Sequence, residues 1–130
     1  MRQRIGLALL AAIAVTNAKD LTVTVGPPPA CAQAQTLRLT LTGVEFPANT
    51  PANIRAFAAP DVYIGMLSLL GAEKPHNLPK AEIAATPEFR RWLEETKPAK
   101  MPAIVLRPQG PGRKSVSAAW SIRGAEWSCR

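Results

Sequence analysis

The sequence predicts a mainly β protein, an antiparallel β-sandwich of about six strands with one short helix. Apolar and polar residues alternate with a period of two in several short runs, the pattern of half-buried strands. Gly- and Pro-containing stretches close those runs at short intervals, which leaves no length for helical crossovers and so favours antiparallel pairing. A single segment, 86–96, carries both a helix cap and helical spacing.

Residues 1–18 read as a secretory signal peptide rather than as part of the fold. Arg2 and Arg4 precede the apolar run IGLALLAAIAV, and Thr16-Asn17-Ala18 ends it with small and polar residues. A membrane anchor needs roughly 18 to 20 apolar residues, and Asn17, Lys19 and Asp20 stop this run short. The expected location is therefore exported, periplasmic or extracellular. Ala32-Gln33-Ala34 offers a second cut site, after Ala34, and the choice decides whether Cys31 stays with the mature chain. With the cut after Ala18, Cys31 and Cys129 are the two cysteines of the mature protein, and an oxidising compartment favours a disulfide between them. Closing so long a loop stabilises by roughly 4 to 5 kcal/mol in the chain-entropy treatment.

Residues 19–35 form an extended, Pro-rich lead-in, in which LTVTV is a short edge and Gly26-Pro27-Pro28-Pro29 cannot join a ladder. The sandwich domain then spans 36–130. In 36–46, Leu37, Leu39 and Leu41 alternate with Arg38, Thr40 and Thr42, and Gly43 marks a break or bulge before Val44. Residues 47–51, PANTP, form a loop. Residues 54–58 and 62–70 make a hairpin about Ala59-Pro60-Asp61. In its second arm Val62, Ile64, Met66 and Leu70 alternate with Tyr63, Gly65, Leu67 and Leu69, so both faces are largely apolar. One face belongs in the core, and the other must meet something else.

Residues 71–86 read as a polar loop carrying His76. Thr86 caps a helix that begins at Pro87 and ends near Thr96, with Phe89, Trp92 and Leu93 on one face. Arg90, Arg91, Glu94 and Glu95 form its wet side. AIVLR at 103–107 is a strand, PQGPGRK a loop, and 115–123 a last strand in which Val116, Ala118, Trp120 and Ile122 face inward.

Little in this chain assembles a reaction. A hydrolytic site needs a base, and His76, the single histidine, lies in a loop context typical of an exposed imidazole. Glu94 and Glu95 diverge on a helix, and Glu82 and Glu88 share no motif. The glycines never form a phosphate-cradling pattern. Met66 and Met101 stand apart as core-type residues rather than as soft metal ligands, and the two cysteines have no ligand spacing with His76. No cofactor, metal or catalytic residue is therefore expected. The net charge is +7, and removing Arg2 and Arg4 with the signal leaves +5. Its Lys and Arg residues are scattered without interleaved aromatics, which speaks against a nucleic-acid partner and leaves weak association with acidic surfaces.

The stretch NIRAFAAPDVYIGMLSLLG, followed in order by ATPEFRRWLEE, AIVLRP and VSAAWSIRGAEW, resembles the C-terminal β-sandwich domain of tyrosinases and polyphenol oxidases. The similarity spans residues 36–127 and is one of pattern, without a diagnostic motif. It implies the sandwich fold and the role of a cap over a type-3 copper domain. The hairpin turn is shorter than that family's usual loop, and no residue here matches the one that enters the copper site, so no site residue transfers.

Together these observations lead to the expectation of an exported, non-enzymatic interaction module. Its interface would be Tyr63, Met66, Leu67 and Leu69, and its partner another exported or envelope protein, such as a type-3 copper oxidase. Two other readings compete with it: a basic envelope-associated domain that binds acidic polymer or lipid, and a small hydrolase that uses His76.

Overall fold

The computed structural model describes residues 20–46, 51–58, 60–69, 76–110 and 120–130. The elements run β1 (Leu21–Val23), β2 (Leu37–Glu45), β3 (Asn53–Ala58), β4 (Val62–Ser68), β5 (Asn77–Ala84), α1 (Pro87–Thr96), β6 (Ile104–Gln109) and β7 (Gly124–Cys129). They build two antiparallel sheets, ordered β1-β6-β3-β4 and β5-β2-β7. The expected signal peptide lies outside the described residues.

The core is the space between the sheets. Leu37, Leu39 and Leu41 of β2 and Ala81 and Ile83 of β5 enter it from one layer, Ile54, Ala56, Ile64, Ile104 and Leu106 from the other. Each fully buried Leu or Ile contributes about 1.5 to 3 kcal/mol relative to exposure, so this alternation is what selects the register. The period of two is interrupted at Gly43, whose φ of 62° turns the chain so that Val44 is again fully buried. A Cβ at Gly43 would stand 2.9 Å from the Arg123 side chain, so both backbone angle and space require glycine there. The ladder to β5 passes through this point in unbroken register, with Thr42 opposite Lys80 and Val44 opposite Leu78.

One expectation is corrected. Residues 77–84 form β5, not a loop; Pro79 argues against a central strand, but β5 is an edge strand, where one side of the backbone needs no ladder partner. A strand that the sequence pattern did not give, Gly124–Cys129, closes the chain as β7. Residues 115–119 lie outside the description, and Ser121 makes only an isolated bridge to Glu45. Gly124 starts this strand because Ala125, Trp127 and Cys129 stand opposite Leu41, Leu39 and Leu37, on the inward side of β2. Within the lead-in, LTVTV supplies an edge as expected: β1 pairs with β6 at the end of the four-stranded sheet, and Val25 is buried.

The Thr86 hydroxyl accepts from the Phe89 amide at 3.2 Å, Pro87 occupies the first turn, and Lys97 closes the helix in the left-handed region with its N–H donating to Leu93. Phe89 is fully buried and stacks on Trp92 and on Trp127 of β7. Arg90, expected on the wet side, is half-buried and donates to the Gln35 carbonyl at 2.8 Å. The helix is thereby tied to the lead-in. Cys31 and Cys129 form a disulfide across 98 positions of sequence, with Cα atoms 5.5 Å apart, and the Thr36 and Arg130 backbones exchange two hydrogen bonds beside it.

The two sheets approach most closely where β4 meets β5. The Thr86 N–H donates to the Ile64 carbonyl at 2.8 Å, and a Cβ placed on Gly65 would stand 2.3 Å from the Ala84 carbonyl oxygen. Gly65→Ala should therefore lower the unfolding free energy by about 1 to 3 kcal/mol in urea titration, the usual cost of forcing backbone apart in a packed site. Gly124→Ala, with nothing within 4 Å of the added carbon, should change it by less than about 0.5 kcal/mol. Equal effects of the two would contradict the close approach. Replacing Cys31 and Cys129 together by serine should cost about 2 to 4 kcal/mol in the same assay, because the unfolded chain regains its freedom.

Candidate interaction surface

The outer face of the four-stranded sheet is set by what the inner face excludes. On β3, Ile54, Ala56 and Ala58 turn inward, which leaves Asn53, Arg55 and Phe57 outward; on β6, Ile104, Leu106 and Pro108 turn inward, which leaves Val105, Arg107 and Gln109. The ladder sets Arg55 opposite Arg107, and Arg55 opposite Met66 on the other side. On β4 the alternation is reset by a bulge. Phe57 pairs with Tyr63 and Ala56 with Gly65, so Ile64 is an extra residue. Tyr63 and Met66, three apart in sequence, consequently share the outer face, with relative exposures of 37% and 43%.

Each arginine of this face lies on an aromatic ring. The Arg107 guanidinium carbon sits 4.9 Å from the Phe57 centroid, and that of Arg55 sits 5.8 Å from the Tyr63 centroid. The two rings meet tilted, 5.6 Å apart at 56°. Arg107 also holds the Asp20 carboxylate, with Nε 3.2 Å from Oδ1 and Nη2 3.2 Å from Oδ2. Arg55 has no carboxylate within ion-pair distance among the described residues, and its Nε is covered and unpaired. The buried side-chain oxygens of Asn53 and Gln109, opposite each other on β3 and β6, also lack partners.

Of the four interface residues expected from sequence, two are on this surface and two are corrected. Leu69 is only 6% exposed, and Leu67 is half-buried against the core. The bulge is the reason: beyond Ile64 the odd-numbered residues of β4 turn inward. Sequence reading missed Arg55, Phe57 and Arg107, although the alternation Ile54-Arg55-Ala56-Phe57-Ala58 already separates small or aliphatic residues from an Arg and an aromatic.

The other places a function could sit are differently built. A groove of about 320 Å³ lies between the polyproline lead-in and the helix, lined by Pro27, Pro29, Leu37, Leu93 and Met101. Its rim residue Arg90 is engaged by the Gln35 carbonyl. On the outer face of the other sheet, Glu82 is shared by Arg38 and Arg130. His76 is exposed, its carbonyl accepts from the Phe46 amide, and its ring meets no serine or carboxylate among the described residues. No group of three His, Cys, Asp or Glu side chains comes together among those residues, and no described helix is long and apolar enough to cross a membrane.

Comparison with protein-family models, curated proteins and solved structures finds no match to this chain, so its role is argued from its own surface.

Proposed function

We propose that the protein is an exported, non-enzymatic β-sandwich interaction module that docks a partner protein through the outer face of its four-stranded sheet. One observation carries this reading. The two exposed large hydrophobic side chains among the described residues, Tyr63 and Met66, lie on one sheet face with two ring-stacked arginines. Tyr, Met and Arg are the side chains enriched where proteins bind proteins, and stacking on a ring limits the freedom an arginine loses on binding. A rigid two-layer scaffold closed by a long-range disulfide suits such a role and is compatible with an oxidising, exported location. The resemblance to the tyrosinase C-terminal domain points to a copper oxidase as the class of partner.

A photo-crosslinking residue placed at Met66, followed by irradiation of cells and of the exported fraction, tests this. The expected result is a discrete adduct from position 66, none from the exposed helix position Glu95, and loss of the position-66 adduct when Tyr63→Asp is added. Equal adducts from both positions, or none from position 66, would contradict the proposal. A measurable catalytic turnover abolished by His76→Ala would overturn its non-enzymatic part.

A further inference from the structure

We infer that Arg55 is the receptor for a carboxylate carried by an acidic segment of the partner protein. This inference rests on the docking reading and names the chemistry that the docking face takes. Directly opposed like charges on neighbouring strands are unfavourable, and Arg55 faces Arg107 across the β3–β6 ladder. The chain relieves half of that pair. Arg107, held on the Phe57 ring, receives the Asp20 carboxylate through Nε and Nη2. Arg55 lies over the Tyr63 ring with no carboxylate within ion-pair distance among the described residues, and because its Nε is covered, its two Nη groups are the ones left to receive one.

Asp20 therefore shows, on the same face, which group a ring-stacked guanidinium of this sheet accepts. A guanidinium is planar and always charged, and it matches a carboxylate with two parallel hydrogen bonds, which makes Arg55 selective for that geometry over a bare point charge. Met66 lies opposite Arg55 on β4, so an acidic side chain arriving there meets an apolar neighbour that lowers the local dielectric and strengthens the pair. A second copy of this chain is a poor occupant. A two-fold contact through this face would bring Arg55 and Arg107 of both copies together and add to the repulsion.

The test is two-dimensional NMR of the isotopically labelled, disulfide-bonded protein at low salt, titrated with an acetylated and amidated tetra-aspartate peptide. Saturable shifts are expected at the Arg55 Nε–H and at the backbone amides of Arg55, Tyr63 and Met66, with none from a tetra-serine peptide. Arg55→Gln should weaken the peptide by tenfold or more, and Arg55→Lys should weaken it as well, because the planar fork is lost. Tyr63→Phe should keep the affinity, since the ring face is what holds the arginine. Arg91→Gln, on the exposed side of the helix, should leave it unchanged.

Shifts spread equally over Arg91 and Lys97, or an affinity insensitive to Arg55→Gln, would overturn the inference. So would Arg55-dependent binding of phosphatidylglycerol vesicles by a protein that ignores the peptide, which would assign the site to lipid headgroups. A position-66 crosslink without peptide binding refutes this inference alone. Peptide binding at Arg55 without that crosslink refutes the docking reading alone.

Discussion

Ile64 stands between two cross-strand pairs, Phe57 with Tyr63 and Ala56 with Gly65, and this one extra residue reverses the facing of β4. Without it, Tyr63 and Met66 would lie on opposite sides of the sheet, because side chains three apart in a regular strand point in opposite directions. With it, Ile64 and Gly65 are both buried, and the two side chains flanking them emerge together. The bulge is held from the other layer. Thr86 donates to the Ile64 carbonyl, and Gly65 offers no Cβ to the Ala84 carbonyl oxygen, so the place where β4 departs from regular pairing is also where the two sheets meet. A backbone irregularity fixed in this way converts an apolar strand into one that presents a defined surface.

The rest of the molecule keeps that surface rigid. Nine-residue β2 is the centre of its sheet and carries Leu37, Leu39 and Leu41 into the core, while β3 and β6 lie centrally in the other sheet and support the outer arginines from beneath with Ile54, Ala56, Ile104 and Leu106. Phe46 and Trp120 stack with centroids 5.4 Å apart, and Phe89 with Trp127 ties the helix to β7. The disulfide and the Arg90 bond to the Gln35 carbonyl fasten the lead-in. A face built on paired strands loses little freedom when it binds, and that is the physical advantage of placing aromatic and guanidinium groups there rather than on a loop.

The fold was legible where one periodicity dominated. Leu37, Leu39 and Leu41 announce β2, and Thr86, Pro87, Phe89 and Leu93 announce the helix, because capping and spacing are local properties of the chain. It was not legible where tertiary context decided. Pro79 concealed β5, since only the sheet order reveals an edge strand that tolerates a proline. Gly124-Ala125-Glu126 gives a weak local strand signal and is a strand because β2 pairs with it. At the surface, sequence pattern placed Tyr63 and Met66 on opposite faces of their strand; the lone Gly65 inside that run is the local sign of a bulge, but it does not say which residue is the extra one. Arg55 and Arg107 lie 52 positions apart in sequence and become neighbours only through the β3–β6 ladder.

In the proposed docking, the cationic, aromatic face of the four-stranded sheet, rather than the groove beside the lead-in, meets the partner. Hydroxyl-radical footprinting of the free protein and of its complex, read by mass spectrometry, measures this most directly because Tyr, Met and Trp side chains are strongly labelled. The prediction is rapid labelling of Tyr63 and Met66 in the free protein and strong protection of both in the complex, with Trp92 and Met101 unchanged. Protection confined to Trp92 and Met101, with Tyr63 and Met66 labelled equally in both states, would contradict it.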